Sequence, residues 1–345
     1  MNLPFAYGIP PATARLRQTP EDFQVEEQLG FEPDGEGEHL WLWVEKRGLN
    51  SEQLARELAR LGGMKAGEIG YAGMKDRHAL TRQWFSVPVR HAVGDALQWC
   101  GAGWRVLHGA RARRKLRRGG LRGNRFMITL REVRGDLGAI EARLQEIAVR
   151  GVPNYFGEQR FGHDNLARAE AMVHGELRVA DRHVRGLYLS SVRAALFNSV
   201  AARRVRDRTW DQALPGEALN LDGSRSFFVI DAPDEAIARR LAAGDVHPTG
   251  PLWGKGEPPS RGEALAADRA AMVECPDWWR DACCRAGMEQ ERRPLRLVVR
   301  ELQWQWGDGG RLCLGFALAA GGYATAVLRE LAASEPAPLR SAASV

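Results

Sequence analysis

Hydrophobic residues recur along this chain in two rhythms, and the changes between them mark its elements. His39-Leu40-Trp41-Leu42-Trp43-Val44-Glu45 is rich in aromatic and aliphatic residues on both faces and predicts a strand. A helical period follows, with Leu54, Leu58 and Leu61 on one face. Asn50 stands at the capping position of that helix, Gln53 at the reciprocal one, and Gly62-Gly63 ends it. Ile69–Tyr71 predicts a short strand running into a turn at Gly73–His78. Trp84-Phe85-Ser86-Val87-Pro88-Val89 predicts a strand whose proline marks an edge or an end. Phe126-Met127-Ile128-Thr129-Leu130 predicts another. Residues 136–150 read as an amphipathic helix with Asp136 as cap and a stripe of Leu137, Ile140, Leu144 and Ile147.

Gly151-Val152-Pro153 stops that helix and marks a change of character. The middle, 152–302, carries a helix from Ser190 or Ser191 to about Val205, a strand at 226–230, and Gly/Pro-containing loops over 244–262. Strand patterns return near the end. Leu295, Leu297 and Val299 alternate with their neighbours, as do Leu312, Leu314, Phe316 and Leu318. Gly321-Gly322-Tyr323 leads into a short helix with Val327, Leu328 and Leu331, and 334–345 reads as a disordered tail. No solenoid-type repeat is visible. Strands at both ends around a distinct middle predict one sheet domain interrupted by an insertion.

Composition narrows the class. At 345 residues, 44% hydrophobic and 27% charged, the chain reads as globular and long enough for two domains. Its net charge of +6 favours a polyanionic partner. Much of that excess sits in one stretch, Arg111 to Arg125, which holds no acidic residue and several glycines. The cysteines Cys100, Cys275, Cys283, Cys284 and Cys313 form no C-x-x-C pair, which argues against a zinc ribbon or a disulfide framework. The start lacks a secretion signal, no apolar run has membrane-spanning length, and the protein reads as cytoplasmic.

Two stretches could carry chemistry. In Gly73-Met74-Lys75-Asp76-Arg77-His78 a carboxylate follows a glycine and lies between cations. Asp76 could be an ordinary turn aspartate paired with Lys75 or Arg77. Alternatively, the glycine lets backbone approach a ligand, while Lys75 and Arg77 favour an ionised Asp76 and hold phosphates beside it. The second stretch, Lys115-Leu116-Arg117 onward to Asn124-Arg125-Phe126, joins cations to an amide and a ring. Cations neutralise phosphates, an amide can read a base edge, and a ring can stack on a splayed base. Phe126 fits ordinary strand core equally well. Asp181-Arg182-His183 repeats the tripeptide without the glycine and reads as structural or phosphate-binding. Gly250–Gly256 imitates a phosphate loop but is one residue short and has no Ser or Thr after Lys255. The histidines lack metal-site spacing, and no metal is expected.

These motifs together resemble the TruD family of tRNA pseudouridine synthases, nearly end to end. Arg17-Gln18-Thr19-Pro20-Glu21-Asp22-Phe23-Gln24-Val25-Glu26 looks like the family's first motif, and Ala72-Gly73-Met74-Lys75-Asp76-Arg77-His78-Ala79-Leu80-Thr81-Arg82-Gln83 like its catalytic motif. Lys115-Leu116-Arg117 with Gly123-Asn124-Arg125-Phe126 looks like its substrate loop and following strand. Val152-Pro153-Asn154-Tyr155-Phe156-Gly157-Glu158-Gln159-Arg160-Phe161-Gly162 is similar to its most distinctive signature.

The resemblance implies an α+β fold, with a mixed and largely antiparallel sheet flanked by helices. Residues 1–151 and 303–345 would form the catalytic domain, and 152–302 the family's inserted α/β domain. It implies isomerisation of uridine, at position 13 of tRNA, to pseudouridine, with no redox or nucleotide cofactor. Asp76 takes the place of the family's essential aspartate. Asn124 and Phe126 fall where family members orient that aspartate and stack on the base. Arg17 falls at a basic position lining the site, and Tyr323 where some members have phenylalanine. With Lys75, Arg77, Lys115 and Arg117, these are the expected substrate contacts. The chain is read as a monomer with tRNA as its partner, no membrane association and no obligatory protein partner. The competing readings are a non-catalytic RNA-binding protein and another RNA-modifying enzyme such as a methyltransferase, for which no Gly-rich methyl-donor pocket is evident.

Overall fold

The computed structural model describes residues 3–91 and 95–334. In chain order its elements begin β1 (Ala12–Arg15), β2 (Phe23–Gln28), β3 (His39–Lys46), α1 (Ser51–Leu61), β4 (Gly70–Tyr71), β5 (Leu80–Pro88), β6 (Cys100–Gly101), β7 (Trp104–Ala112), β8 (Gly123–Gly135) and α2 (Leu137–Arg150). Next come β9 (Val152–Pro153), α3 (Asn165–Val173), α4 (Arg182–Arg206), β10 (Ala218–Leu221), β11 (Phe227–Val229), α5 (Glu235–Ala242), β12 (Val246–Leu252), α6 (Gly262–Val273), α7 (Asp277–Arg285), β13 (Glu291–Pro294) and β14 (Arg296–Leu297). The chain closes with β15 (Arg300–Gly307), β16 (Arg311–Ala319), α8 (Ala324–Leu331) and β17 (Ala332–Ser334). Packing gathers these into two compact units.

The first unit comprises 11–140, 299–321 and the end of the chain from 332. Its sheet runs β15-β16-β8-β2-β5-β3-β7-β6, with β4 beside β5 and β1 bridging β8 and β17. The β2–β5 and β1–β17 pairs are parallel and the others antiparallel, giving the mixed, largely antiparallel sheet that the family resemblance implies. Asn50 caps α1 as its spacing predicts: its Oδ1 accepts from Gln53 N at 2.8 Å, and its own N–H donates to Gln53 Oε1 at 2.9 Å. The buried face of α1, Leu54 and Leu58, packs with Leu42, Val44, Phe85 and Val87 from the sheet. Leu61 was expected on that face but is 39% exposed, and Met64 beyond the helix end packs there instead. Pro88 ends β5, where it pairs with His39. Asp136 precedes α2 and accepts from Ala139 N at 2.9 Å. Ser334 belongs to β17, and the rest of the expected tail, 335–345, lies outside the described residues.

The second unit comprises residues 3–10, 141–298 and 322–331 of the described chain. Arg143 donates to the carbonyls of Tyr7 at 2.6 Å and Glu330 at 2.7 Å, which ties the chain start and α8 to α2. The four-stranded antiparallel sheet β11-β10-β12-β13 packs with α4, whose Val192, Leu196, Phe197, Val200 and Ala201 are fully buried. Buried ion pairs link Arg204 to Glu217 at 2.9 Å and Arg292 to Asp268 at 2.7 Å. Burial raises both carboxyls above their ordinary range, opposed by the neighbouring arginines.

Two expectations fail in this unit. The helix expected from Ser190 begins eight residues earlier, at Arg182, because Asp181 caps it by accepting from His183 N at 2.7 Å. The 244–262 stretch, read as loops, contains β12, which is buried from Val246 to Pro251. Pro248 lies opposite Leu219 of β10 and accepts from Leu295 N at 2.8 Å, and Pro251 lies opposite Arg292 of β13. Residues 246–248 face β10, and 249–252 face β13.

Candidate active site at the Asp76 turn

The inward-facing residues of four strands turn polar where the Asp76 turn lies. In β2 the inward series is Phe23, Val25, Glu27, and in β3 it is Leu42, Val44, Lys46. In β5 it is Thr81, Gln83, Phe85, Val87, and in β8 Asn124, Phe126, Ile128. Glu27, Lys46, Thr81 and Gln83 are at most 4% exposed.

Glu27, Lys46 and Gln83, with Ser51 and Asn124, hold the turn. Gln83 donates to Gly73 O at 3.0 Å, and Ser51 Oγ, itself donating to Gln83 Oε1 at 2.6 Å, accepts from Lys75 N at 2.8 Å. Lys75 Nζ donates to Glu27 Oε1 at 3.0 Å and Asn124 Oδ1 at 2.8 Å. Lys46 Nζ donates to the carbonyls of Leu49, Asp76 and Lys75 at 2.7, 3.1 and 3.4 Å. Satisfied buried polar groups of this kind rigidify what they touch.

Asp76 projects from this frame, half-buried. Its Oδ1 accepts from His78 N at 3.1 Å, closing a local turn, and its Oδ2 accepts from Arg17 at 3.3 Å. Arg17 has a left-handed backbone, with φ of 55°, and its guanidinium lies 4.1 Å over the Phe23 ring. A cation–π contact thus steadies the cation that faces the carboxylate.

Three residues of these motifs sit differently from the way the sequence suggested. Gly73 is not where backbone opens towards a ligand. It is buried, and a Cβ there would lie 2.5 Å from Lys75 Nζ and 2.7 Å from Glu27 Oε1, so the glycine makes room for an internal ion pair. Lys75 is not a surface cation holding phosphates: it is 6% exposed and its ammonium is directed at Glu27 and Asn124. Burial lowers its pKa, opposed by Glu27. Phe126 is 6% exposed and is a core ring, stacked on Phe316 at 5.4 Å and edge-on to Phe23 at 6.2 Å. Asn124 meets Asp76's neighbour Lys75, so its link to the carboxylate runs along the chain. Arg77 is exposed.

The basic loop between β7 and β8 is anchored rather than loose. Leu116 is buried with Leu29, Trp41, Ala72 and Ala112, and Gly119 N donates to Ala72 O at 2.9 Å, directly before the turn. Lys115 donates to Gly67 O, while Arg118 donates to the Tyr71 hydroxyl at 2.7 Å and lies 5.3 Å over its ring. Arg114 and Arg117 are exposed. Arg113 pairs with Glu36, so part of the loop's charge is balanced from elsewhere in the chain. Tyr323 belongs to the second unit, edge-on to Phe156 at 6.2 Å. In that unit Arg293 lies 4.1 Å over Phe156, and burial lowers its pKa to about 10.

Sequence reasoning missed Glu27, Lys46, Ser51 and Gln83. The signal was available: each strand residue among them continues an apolar alternation with a polar member, at an inward position.

Fold and candidate site together define a class: a mixed-sheet protein with one carboxylate held beside cations on a rigid frame, and a basic loop anchored next to it. The comparisons with known proteins specify it further. The family model for tRNA pseudouridine synthase D (TruD) matches residues 3–180 and 164–331. A tRNA pseudouridine synthase D of Nitrosococcus oceani is 47% identical over 341 residues, covering 96% of this chain and 94% of that protein. Its counterpart in Hydrogenovibrio crunogenus is 45% identical over 333 residues, covering 95% of each chain. The chain therefore belongs to the TruD family of tRNA pseudouridine synthases. A crystal structure described as a putative tRNA pseudouridine synthase D from Methanosarcina mazei has the same fold, with a TM-score of 0.72, 22% identity, and coverage of 96% of this chain and 98% of that one. Among the described residues, no helix is long and apolar enough to cross a membrane.

Proposed function

We propose that this protein isomerises a uridine of tRNA to pseudouridine, with Asp76 as its catalytic carboxylate. The observation that carries this is the Asp76 turn itself, in a chain of this family. One carboxylate is fixed by an internal polar frame and faces Arg17 at 3.3 Å. In the reaction the N1–C1′ bond breaks, the uracil turns, and a C5–C1′ bond forms. The proton on C5 is lost and N1 takes one up, so substrate and product have the same composition. Asp76 acts on the sugar, either as a nucleophile at C1′ or as a base that removes a sugar proton. The target base must leave its stack, and exposed cations such as Arg77, Arg114 and Arg117 offset part of that cost by holding the backbone.

The proposed target is position 13. Tyr323, Asn124 and Lys115 remain proposed contributors to substrate binding. Residues 152–302 are proposed as the inserted portion. This is supported by β9 pairing with β14, Val152 opposite Leu297, which brings the entering and leaving strands side by side. The protein is proposed to act as a monomer in the cytoplasm, where an exposed thiol such as Cys100 stays reduced.

The test is incubation with unmodified tRNA bearing uridine at position 13, read by carbodiimide labelling and primer extension. A new stop at that position supports the proposal. A stop elsewhere would correct the target. Tight binding with unchanged nucleosides would favour a binding-only protein, and a mass increase in the RNA a different modification.

A further inference from the structure

Lys46 has no part in the reaction as described so far, yet its contacts converge on the turn that carries Asp76. It closes β3 and is 0% exposed. An ammonium has three donors, and those of Lys46 meet three backbone carbonyls. Two of these, Lys75 O and Asp76 O, are the successive carbonyls that flank Asp76, and the third, Leu49 O, belongs to the approach to α1. Burying an ammonium carries a large desolvation cost, and an apolar residue would continue the Leu42-Val44 series at this position without it. The cation is thus placed where it ties the Asp76 turn to the approach to α1.

We propose that Lys46 is a positioning residue for Asp76, its ammonium fixing the Lys75–Asp76 backbone and hence the carboxylate's place against the reacting sugar. The proposal rests on Asp76 being the catalytic carboxylate. Three further holds on the turn are independent of it: Ser51 on Lys75 N, Gln83 on Gly73 O, and the His78 amide on Asp76 Oδ1. Loss of the ammonium therefore loosens the backbone on both sides of Asp76 rather than dissolving the turn.

The charge on Lys46 is also within reach of titration. The sheet residues opposite it, Thr81 on β5 and Trp104 on β7, are uncharged. Ser51 and Leu49 at the start of α1 are uncharged as well, so the charged groups facing it are Asp76 and Lys75 of the turn. Burial lowers its pKa to about 8, opposed by Asp76 and aided by Lys75. Since this lies below the unfolded value, the unfolded chain binds more protons above that pH, and stability rises as Lys46 loses its proton. The hold on the turn weakens over the same interval. Activity and stability should therefore move in opposite directions, which a merely structural lysine does not produce.

The experiment compares wild type, Lys46→Met and Asp76→Asn in single-turnover conversion of unmodified tRNA, with tRNA affinity and thermal melts measured from about pH 6 to about pH 9.5. For Lys46→Met at neutral pH the expected result is a rate loss of roughly 100-fold with affinity within about three-fold, the size associated with a displaced catalytic group. The wild-type rate should fall with a midpoint near 8 while its melting temperature holds or rises, and this limb should be missing from Lys46→Met. A Lys46→Met enzyme with wild-type rate and an unchanged alkaline limb overturns the proposal. If Lys46→Met does not fold, the wild-type profile decides: a flat rate through that interval overturns it, and a fall without loss of stability supports it. Absence of pseudouridine with wild type would instead sink the functional reading, and activity in Asp76→Asn would sink the assignment of the carboxylate.

Discussion

Arg17 and Asp76 meet at 3.3 Å although 59 residues separate them, and each is held from behind. Arg17 rests on Phe23, which is edge-on to Phe126, and Asp76 rests on backbone that Ser51 holds at the Lys75 amide and Lys46 at the Lys75 and Asp76 carbonyls. Cation and carboxylate thus face each other from rigid supports, so the geometry that the proposed catalysis requires is present before substrate arrives. Arg17→Asn tests this pair, because asparagine tolerates the left-handed backbone and carries no charge. The expected outcome is a loss of roughly 10- to 100-fold in single-turnover rate with a smaller change in tRNA affinity. Arg17→Lys should recover part of that rate, since lysine keeps the charge but not the planar stack on Phe23.

Lys75 and Glu27 make a second pair whose role can be separated from RNA binding. Both side chains are at most 4% exposed, so removing one leaves an uncompensated buried charge. Glu27→Gln should cost about 3–5 kcal/mol of stability, measured by urea unfolding. Lys75→Met should be similarly destabilised, and the double variant should be more stable than the sum of the single losses predicts. The salt dependence of tRNA binding should be unchanged in Lys75→Met. A slope reduced by about one would mean that Lys75 does neutralise a phosphate.

The loop cations should divide by what they already hold. Arg117 is exposed, whereas Arg113 is paired with Glu36. Arg117→Ser should therefore weaken tRNA binding at low salt and reduce the slope of log affinity against log salt by about one. Arg113→Ser should change it less. Equal effects of the two substitutions would show that the Arg113–Glu36 pair opens when RNA binds.

Local signals in the sequence survived into the structure where chemistry within a few residues decides the outcome. The Asn50–Gln53 cap, the Asp136 cap and the buried Ile140, Leu144 and Ile147 needed no tertiary information, whereas Leu137, expected on the same stripe, is exposed. Where partners distant in sequence decide, the reading failed. Pro248 and Pro251 look like loop residues until β10 and β13 are seen to share β12 between them. The cations around Asp76 were legible as a motif, but their directions were not. Lys75 turns inward because Glu27 and Asn124 lie side by side on β2 and β8, a register that only the folded sheet creates. Gly73 was noticed for the right position and the wrong reason, since what its missing Cβ makes room for is an ion pair.

The central claim, that the Asp76 carboxylate carries out the chemistry, is tested most directly by single-turnover conversion with Asp76→Asn beside wild type, with tRNA affinity measured on the same preparations. Asparagine keeps the side-chain shape, and its one oxygen can still accept from the His78 amide while its Nδ2 takes the place of the oxygen that faces Arg17. The account predicts no detectable pseudouridine from Asp76→Asn with affinity retained within about three-fold. Pseudouridine formed by that variant at a rate near that of wild type would contradict it.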